Sequence, residues 1–345
     1  MTVTHEKNLS VVQGKMQGII KPTYRTKWGV MYQGDCEEIL KRYPATRKKG
    51  QVQLVLTSPP FPLNRKKKYG NLTGEEYLNW LKNLAPLLRD YLSPDGSIVL
   101  ELGNAWEAGN PVMSTLPLKA FLAFMEAANL NLCQEFICYN PARLPTPAQW
   151  VTVERIRVKD AFTRVWWMSP VKRPKANNRN VLTEYSKSMQ DLLRKGTYNS
   201  GPRPSGHHIG KKSFLSDNGG AIPPNLLIPT PIEENLIEVL PISNTRASDT
   251  YQVYCRQKNV APHPARMQPE LAEFFIRFLT DKDDLVLDPF AGSNTTGFAA
   301  EKLKRRWFAI ELDAGYVETS EVRFRPEMIN EARPNSPSDS PHLVV

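Results

Sequence analysis

The segment 283–313 sets the fold class more firmly than any other stretch. DDLVLDPF (283–290) is a short apolar run of strand length. AGSNTTG (291–297) interrupts it with two glycines and opens a helix through Leu303. WFAIELD (307–313) is a second apolar run. A strand, a glycine-bearing loop, a helix and a strand form a βαβ unit. Its parallel strands need further strands beside them and helices over both faces.

The rest of the chain supplies these. MYQGDCEEIL (31–40) reads as a strand end, a turn and a short helix. Strands are expected at 51–57, 97–103, 135–140 and 163–169, with SPDG (93–96) as a turn. Helical spacing marks 75–92, kinked at Pro86, and also 116–130 and 264–280. A further helix runs to Phe324. The fold class is α/β with a mostly parallel sheet. Ligands of such sheets bind at the carboxyl ends of the strands. The loops after 51–57 and 283–290 are therefore expected to share one crevice.

Five regions are expected. Residues 1–24 form a loose arm, and 25–170 and 261–325 are the two halves of the α/β domain. Residues 171–260 form an irregular insert, interrupted by glycine, asparagine and some of the 29 prolines. The tail 326–345 is rich in proline and serine.

The net charge of +10, from 45 Lys and Arg against 35 Asp and Glu, attracts polyanions, with nucleic acid the first candidate. The 4 cysteines, at 36, 133, 138 and 255, form no CxxC pair. A reduced, cytoplasmic protein without metal is expected. No apolar run approaches the ~18 residues of a membrane span, and the N-terminus lacks the apolar core of a secretory signal.

Two loops carry chemistry. In the first, Asp288 ends a strand, Gly292 and Gly297 flank Ser-Asn-Thr-Thr, and a helix start presents free N–H groups. Phe298 stands where a phosphate-binding loop requires lysine, and G-x-G-x-x-G is absent. Glu311 ends the next strand, at a distance suited to ribose hydroxyls. A nucleoside with a small charged group, and no pyrophosphate, describes S-adenosylmethionine. An ordinary βα turn is the plain alternative.

The second loop is Ser58-Pro59-Pro60-Phe61, at the end of the strand 51–57. Two prolines rigidify the turn and remove two N–H donors. Ser58 Oγ and the Pro59 carbonyl can accept from an NH₂ group while Phe61 stacks on the ring that bears it. A proline turn closing the core is the plain alternative.

Together, TSPPF and DPFAGSNTTG resemble the amino-methylating DNA methyltransferases. The order, SPPF first and the cofactor loop last, is similar to their class β arrangement. Serine in place of the aspartate of DPPY resembles the cytosine-N4 branch. YQGDCEEIL, LSPDGSIVLELGNA, RVKDAFTRVWWMS, RPSGHHIGKKSF, DNGGAIPPNLL and HPARMQPELAEFFIR extend the resemblance to PvuII-type cytosine-N4 methyltransferases over most of 28–325.

The resemblance implies a circularly permuted, Rossmann-like methyltransferase sheet with an inserted target recognition region at 171–260. It implies that Asp288, Gly292, Ser293, Asn294 and Thr295 form the methionine end of the cofactor site. Glu311 would hold the ribose, and Asp35 would lie near the adenine amine. His263 and Pro264 would begin the segment closing over the methionine part. Ser58, Pro59 and Phe61, stiffened by Pro60, would hold the flipped base. Ala291 departs from a position that is often glycine. DNA contacts are expected from the basic loop Arg65, Lys66, Lys67 and Lys68, and from Arg203, Lys211 and Lys212.

Double-stranded DNA is the expected partner of a monomeric enzyme, with a restriction endonuclease of the same specificity as its counterpart. Adenine-N6 methylation and a non-catalytic DNA-binding relative are the alternatives. Cys133 reads as a buried structural cysteine rather than a nucleophile. Of Trp166 and Trp167, one is expected in the core and the other is a candidate wall of the base pocket.

Overall fold

Strand β3 (Val52–Thr57) is buried at every position, because it is covered on both faces. Val55 joins Ile98, Leu100, Leu287 and Phe308 in one core, and Leu54 and Leu56 join Val99, Val286, Trp307 and Ala309 in another. In a strand, alternate residues face opposite sides, so an apolar run such as LVL (54–56) fills two cores at once.

The computed structural model describes residues 20–42, 50–61, 72–140, 143–227 and 249–331. The other strands are β1 (Tyr24–Arg25), β2 (Gly29–Gln33), β4 (Leu92–Leu102), β5 (Asn131–Tyr139), β6 (Phe162–Ser169), β7 (Gly201–Pro202), β8 (His208–Ile209), β9 (Leu226–Leu227), β10 (Leu285–Asp288) and β11 (Arg306–Glu311). The α-helices are α1 (Cys36–Arg42), α2 (Gly74–Arg89), α3 (Leu116–Ala127), α4 (Lys187–Lys195), α5 (Thr250–Gln257), α6 (Pro269–Leu279), α7 (Thr295–Lys302), α8 (Ala314–Ser320) and α9 (Met328–Glu331).

Nine strands form one sheet in the order β1-β2-β11-β10-β3-β4-β6-β5-β9. Strands β2, β11, β10, β3 and β4 are parallel neighbours, and β6 runs antiparallel between β4 and β5. The carboxyl ends of β2, β11, β10, β3, β4 and β5 therefore share one edge with the start of β6. Helices α1, α2 and α3 cover one face, and α6 and α7 the other. On α2, Tyr77, Leu81, Leu84 and Leu88 recur on one face and are all buried. Each contributes roughly 1.5–3 kcal/mol by leaving water.

Several boundaries depart from expectation. SPDG is no simple turn: Val52 pairs with Leu92 but Leu54 pairs with Ser97, so the segment bulges within β4. Glycine is needed there, since a Cβ on Gly96 would meet the Val52 carbonyl at 2.8 Å. Helix α6 starts at Pro269, not at 264, because proline at the first turn fixes the start. Pro86 is accommodated inside α2. Tyr24, placed at the end of the loose arm, is buried in β1, and its hydroxyl bonds Ser320 Oγ at 2.8 Å. The expected tail begins with the short helix α9.

The segment 171–227 is irregular as expected, with α4, the β7–β8 hairpin and β9 among turns. Strand β9 pairs with β5 and ties the insert to the main sheet. Among the described residues no helix is long and apolar enough to cross a membrane. No group of three or more His, Cys, Asp or Glu among them could hold a metal ion.

Candidate active site

The end of β3 delivers Thr57 and Ser58 between two carboxylates. Thr57 Oγ1 donates to Asp288 Oδ1 at 2.8 Å. Thr296 Oγ1 donates to Asp288 Oδ2 at 2.7 Å, and the Phe290 N–H donates to Oδ1 at 3.1 Å. Asp288 is only 4% exposed, and burial pushes its carboxyl up to about 6 against the pull of these donors. One buried carboxylate thus joins the two sequence motifs.

Beyond Asp288 the chain turns through Gly292 at φ +51°. A Cβ there would lie 3.1 Å from the His263 ring, so the close approach also favours glycine. Ala291 is not among the residues of positive φ and is buried. The Gly292 N–H donates to Glu311 Oε2 at 2.8 Å, and the Asp313 N–H to Oε1 at 2.9 Å. Burial raises the Glu311 pKa. Asp35 follows the neighbouring strand β2, is exposed, and caps α1 by accepting from the Glu38 N–H at 3.0 Å. The Gly34 N–H donates to the Glu311 carbonyl at 2.9 Å, which holds Asp35 and Glu311 on adjoining strand ends. Leu312, next along, is 63% exposed.

His263 packs edge-on to Tyr316 at 4.6 Å between ring centroids. Its Nδ1 accepts from the Ala265 N–H at 3.3 Å, and burial lowers its pKa, so the ring is neutral at pH 7. Pro264 is exposed and lines the cavity described below.

Two side chains of the loop bond within the protein. Asn294 is fully buried at φ +53°. Its Oδ1 accepts from the Gly297 N–H at 3.1 Å, capping α7, and its Nδ2 donates to the Tyr24 hydroxyl at 2.9 Å. Ser293 is 2% exposed and accepts from Arg323 through both Oγ, at 3.2 Å, and its carbonyl, at 2.7 Å. Both side chains hold the loop's own structure. Thr295 is buried, its Oγ1 lies 3.3 Å from Ser293 Oγ, and it reaches the cavity wall.

On the other side of Thr57 lies a cavity of about 380 Å³. Ser58, Phe61, Glu101, Asn140, Arg143 and Thr163 line it. The segment 264–269, Thr295, Phe298 and Arg323 line it as well. The SPPF turn, Pro264 and the start of α7 therefore line one cavity. Pro59 is buried and Pro60 half-buried. The Phe61 ring lies on Gly103, where a Cβ would come within 2.5 Å of it.

Sequence reasoning missed Glu101, Arg143 and Arg323. Glu101 lies next to Leu100, the β4 residue paired with Thr57. It accepts from Thr163 Oγ1 at 2.9 Å and from the Ser58 hydroxyl. Burial raises its pKa, while these bonds and the Arg143 charge oppose the rise. A lone carboxylate in the buried run IVLELG was the signal available. Arg323 is 7% exposed and pairs with Asp249 at 3.2 Å. A terminal arginine in a helical stretch carries no such signal.

Arg65, Lys66, Lys67 and Lys68 lie outside the described residues. Arg203 is half-buried, with its guanidinium donating to the Asn199 carbonyl at 2.6 Å. Lys211 and Lys212 are exposed in the turn after β8. Neither tryptophan walls the cavity: Trp166 stacks on Phe121 at 4.2 Å, and Trp167 donates to Ser97 Oγ at 2.8 Å. Cys133 lies within β5 and is half-buried rather than buried. Burial pushes its thiol up to about 11, which makes it a poor nucleophile.

The chain matches the DNA methylase family over residues 52–322. It is 42% identical over 315 residues to the type II methyltransferase M.PvuII of Proteus hauseri, covering 91% of this chain and 88% of that one. It is 24% identical over 292 residues to M.BglII of Bacillus subtilis, covering 84% of this chain and 66% of that one. A solved structure of the PvuII DNA methyltransferase, described as cytosine-N4-specific, superposes with a TM-score of 0.69 at 36% identity. That match covers 90% of this chain and 93% of the other. With one sheet edge presenting a paired-carboxylate seam, and with likeness over nearly its whole length, this chain belongs to the DNA methylase family.

Proposed function

We propose that the protein transfers a methyl group from S-adenosylmethionine to the exocyclic N4 of a cytosine flipped out of duplex DNA. The observation that carries this is the Ser58 hydroxyl, which is bonded to Glu101 and opens on the same cavity as Phe61. Its hydrogen is committed to the carboxylate, so its oxygen lone pairs are left to accept from an amine.

The residues present fit the cofactor. Exposed Asp35 and the carboxylate of Glu311 offer acceptors to a nucleoside's amine and hydroxyls, and exposed Leu312 offers an apolar face beside them. Gly292 keeps the loop open where a Cβ would strike His263. When bound, the cofactor supplies an electrophilic methyl on a sulfonium. Every other part of the chemistry falls to the protein.

The cytosine amine is a poor nucleophile because its lone pair is delocalised into the ring. Ser58 Oγ and the Pro59 carbonyl bind its two hydrogens outside the ring plane and aim the lone pair at the methyl group. Phe61 stacks on the ring, returning ~1–3 kcal/mol of the flipping cost. Once the methyl is transferred, with the sulfonium leaving as a neutral thioether, the amine nitrogen would be cationic. It then loses a proton through Ser58 to Glu101, whose raised pKa suits it as the acceptor. Positioning supplies much of the rate.

Residues 171–260 read the DNA sequence in this proposal, with Arg203, Lys211 and Lys212 as contacts. The enzyme acts as a monomer in the cytoplasm, and a restriction endonuclease of the same specificity is its counterpart. The decisive experiment incubates plasmid DNA with labelled S-adenosylmethionine, digests it and identifies the modified nucleoside by mass spectrometry. N4-methylcytosine is expected. N6-methyladenine refutes the base assignment, and unlabelled DNA refutes the activity.

A further inference from the structure

We infer that the loop 143–160 is a DNA wedge, in which Ile156 and Val158 enter the base stack where the target base has left it and Arg155 meets a flanking phosphate. This rests on the reading that the protein flips a base from duplex DNA.

The loop joins β5 to β6, so it rises from the sheet edge that carries Ser58, and Arg143 at its base lines the same cavity. Its stem is fixed. The Asn140 N–H donates to the Ala161 carbonyl at 2.6 Å. The Arg143 guanidinium donates to Asp160 at 3.3 Å and to the Phe162 carbonyl at 3.0 Å, and Asn104 donates to Asp160 at 2.8 Å. The Arg157 guanidinium lies 3.2 Å from the centre of the Trp106 ring.

The tip is apolar and exposed. Val158 is 86% exposed, Val153 68% and Ile156 57%. Apolar side chains clustered in water mark a contact surface. The flanking residues name the partner. Arg155, Arg157 and Lys159 alternate with Ile156 and Val158. The two nearby acids are already engaged: Asp160 as above, and Glu154 by Gln149 Nε2 at 2.7 Å. Arg155 is exposed between these apolar residues, a pairing of cation and apolar tip that suits a polyanion with an apolar interior. Proteins that unstack DNA insert isoleucine, leucine or phenylalanine in this way. Arg155 is also held at φ +57°, a conformation that a non-glycine residue rarely keeps without a reason.

The test uses a short duplex carrying the sequence that the wild-type enzyme methylates, mapped on plasmid DNA. A second duplex is identical but mismatched at the target cytosine, where flipping is already cheap. The double variant Ile156→Ser, Val158→Ser should lose about tenfold in kcat/KM on the matched duplex. It should lose less than about threefold on the mismatched one. Calorimetry should show unchanged affinity for S-adenosylmethionine. Arg155→Gln should flatten the salt slope of binding by about one unit. Equal losses on both duplexes, or none, overturn the wedge alone. A wild-type enzyme that methylates no DNA overturns the parent reading, and the wedge with it.

Discussion

Asp288→Asn should stabilise the folded chain, and by more as pH rises. The folded-state carboxyl is pushed to about 6 from an ordinary value of 3.8. An acid whose pKa is raised on folding contributes stability only while protonated. That contribution is complete below 3.8 and is lost as pH rises through about 6. Above that window the ionised group costs about 3 kcal/mol, at about 1.4 kcal/mol per pH unit of displacement. Roughly half of this, about 1.4 kcal/mol, is lost between pH 5 and pH 8. Asparagine keeps an acceptor for Thr57 and the Phe290 N–H, and the Thr296 hydroxyl can turn to accept from the new amide. Urea unfolding of both proteins at pH 5 and pH 8, without cofactor, measures the effect. The variant's advantage should grow by about 1.4 kcal/mol across that range. An advantage that does not change with pH would refute the assignment of the cost to a buried charge.

Gly103→Ala should displace Phe61, since its Cβ would lie 2.5 Å from the ring, and should slow methylation roughly tenfold or more with cofactor affinity unchanged in calorimetry. Asn294→Ala should cost about 1–2 kcal/mol in urea unfolding through the lost cap of α7, with further loss from its bond to Tyr24. Ser58→Ala should keep cofactor and DNA binding but slow single-turnover methylation by roughly 10²–10³. For Glu101→Gln, the acidic limb of the pH–rate profile should disappear. In the wild type the rate falls as pH drops through the raised pKa of Glu101 and protonates it.

Positions whose role follows from backbone geometry were legible in the sequence. The apolar runs at 51–57, 283–290 and 307–313 gave the two-sided sheet, and glycine and proline marked the loops at the strand ends. Roles that depend on where a side chain turns were not. Asn294 and Ser293 sit in the motif, yet one points into the core toward Tyr24 and the other to Arg323. Their partners lie far along the chain, and no local pattern announces them. Glu101 shows the converse: its importance comes from Ser58 and Thr163, which are neighbours only once β3, β4 and β6 are side by side. The SPDG bulge escaped for a similar reason, because a turn signal within a strand is settled by the register of the neighbouring strand.

Strand β3 explains why two separate motifs make one site. Thr57 and Ser58 are consecutive, and their side chains diverge. The neighbours on either side carry a carboxylate at or beside their last residue, Asp288 ending β10 and Glu101 one residue before the end of β4. Thr57 donates to the first and Ser58 to the second. Both carboxyls are raised by burial, but their settings differ. Asp288 is sealed and bonded on all sides, which suits holding the loop in place. Glu101 faces a cavity that also contains Arg143, which suits gaining and releasing a proton. A shift of β3 by one residue would exchange the two hydroxyls between the carboxylates and turn Phe61 away from Gly103. The buried register of Leu54, Val55 and Leu56 against both cores resists that slip, so the chemistry at the strand's end depends on the hydrophobic pattern along its length.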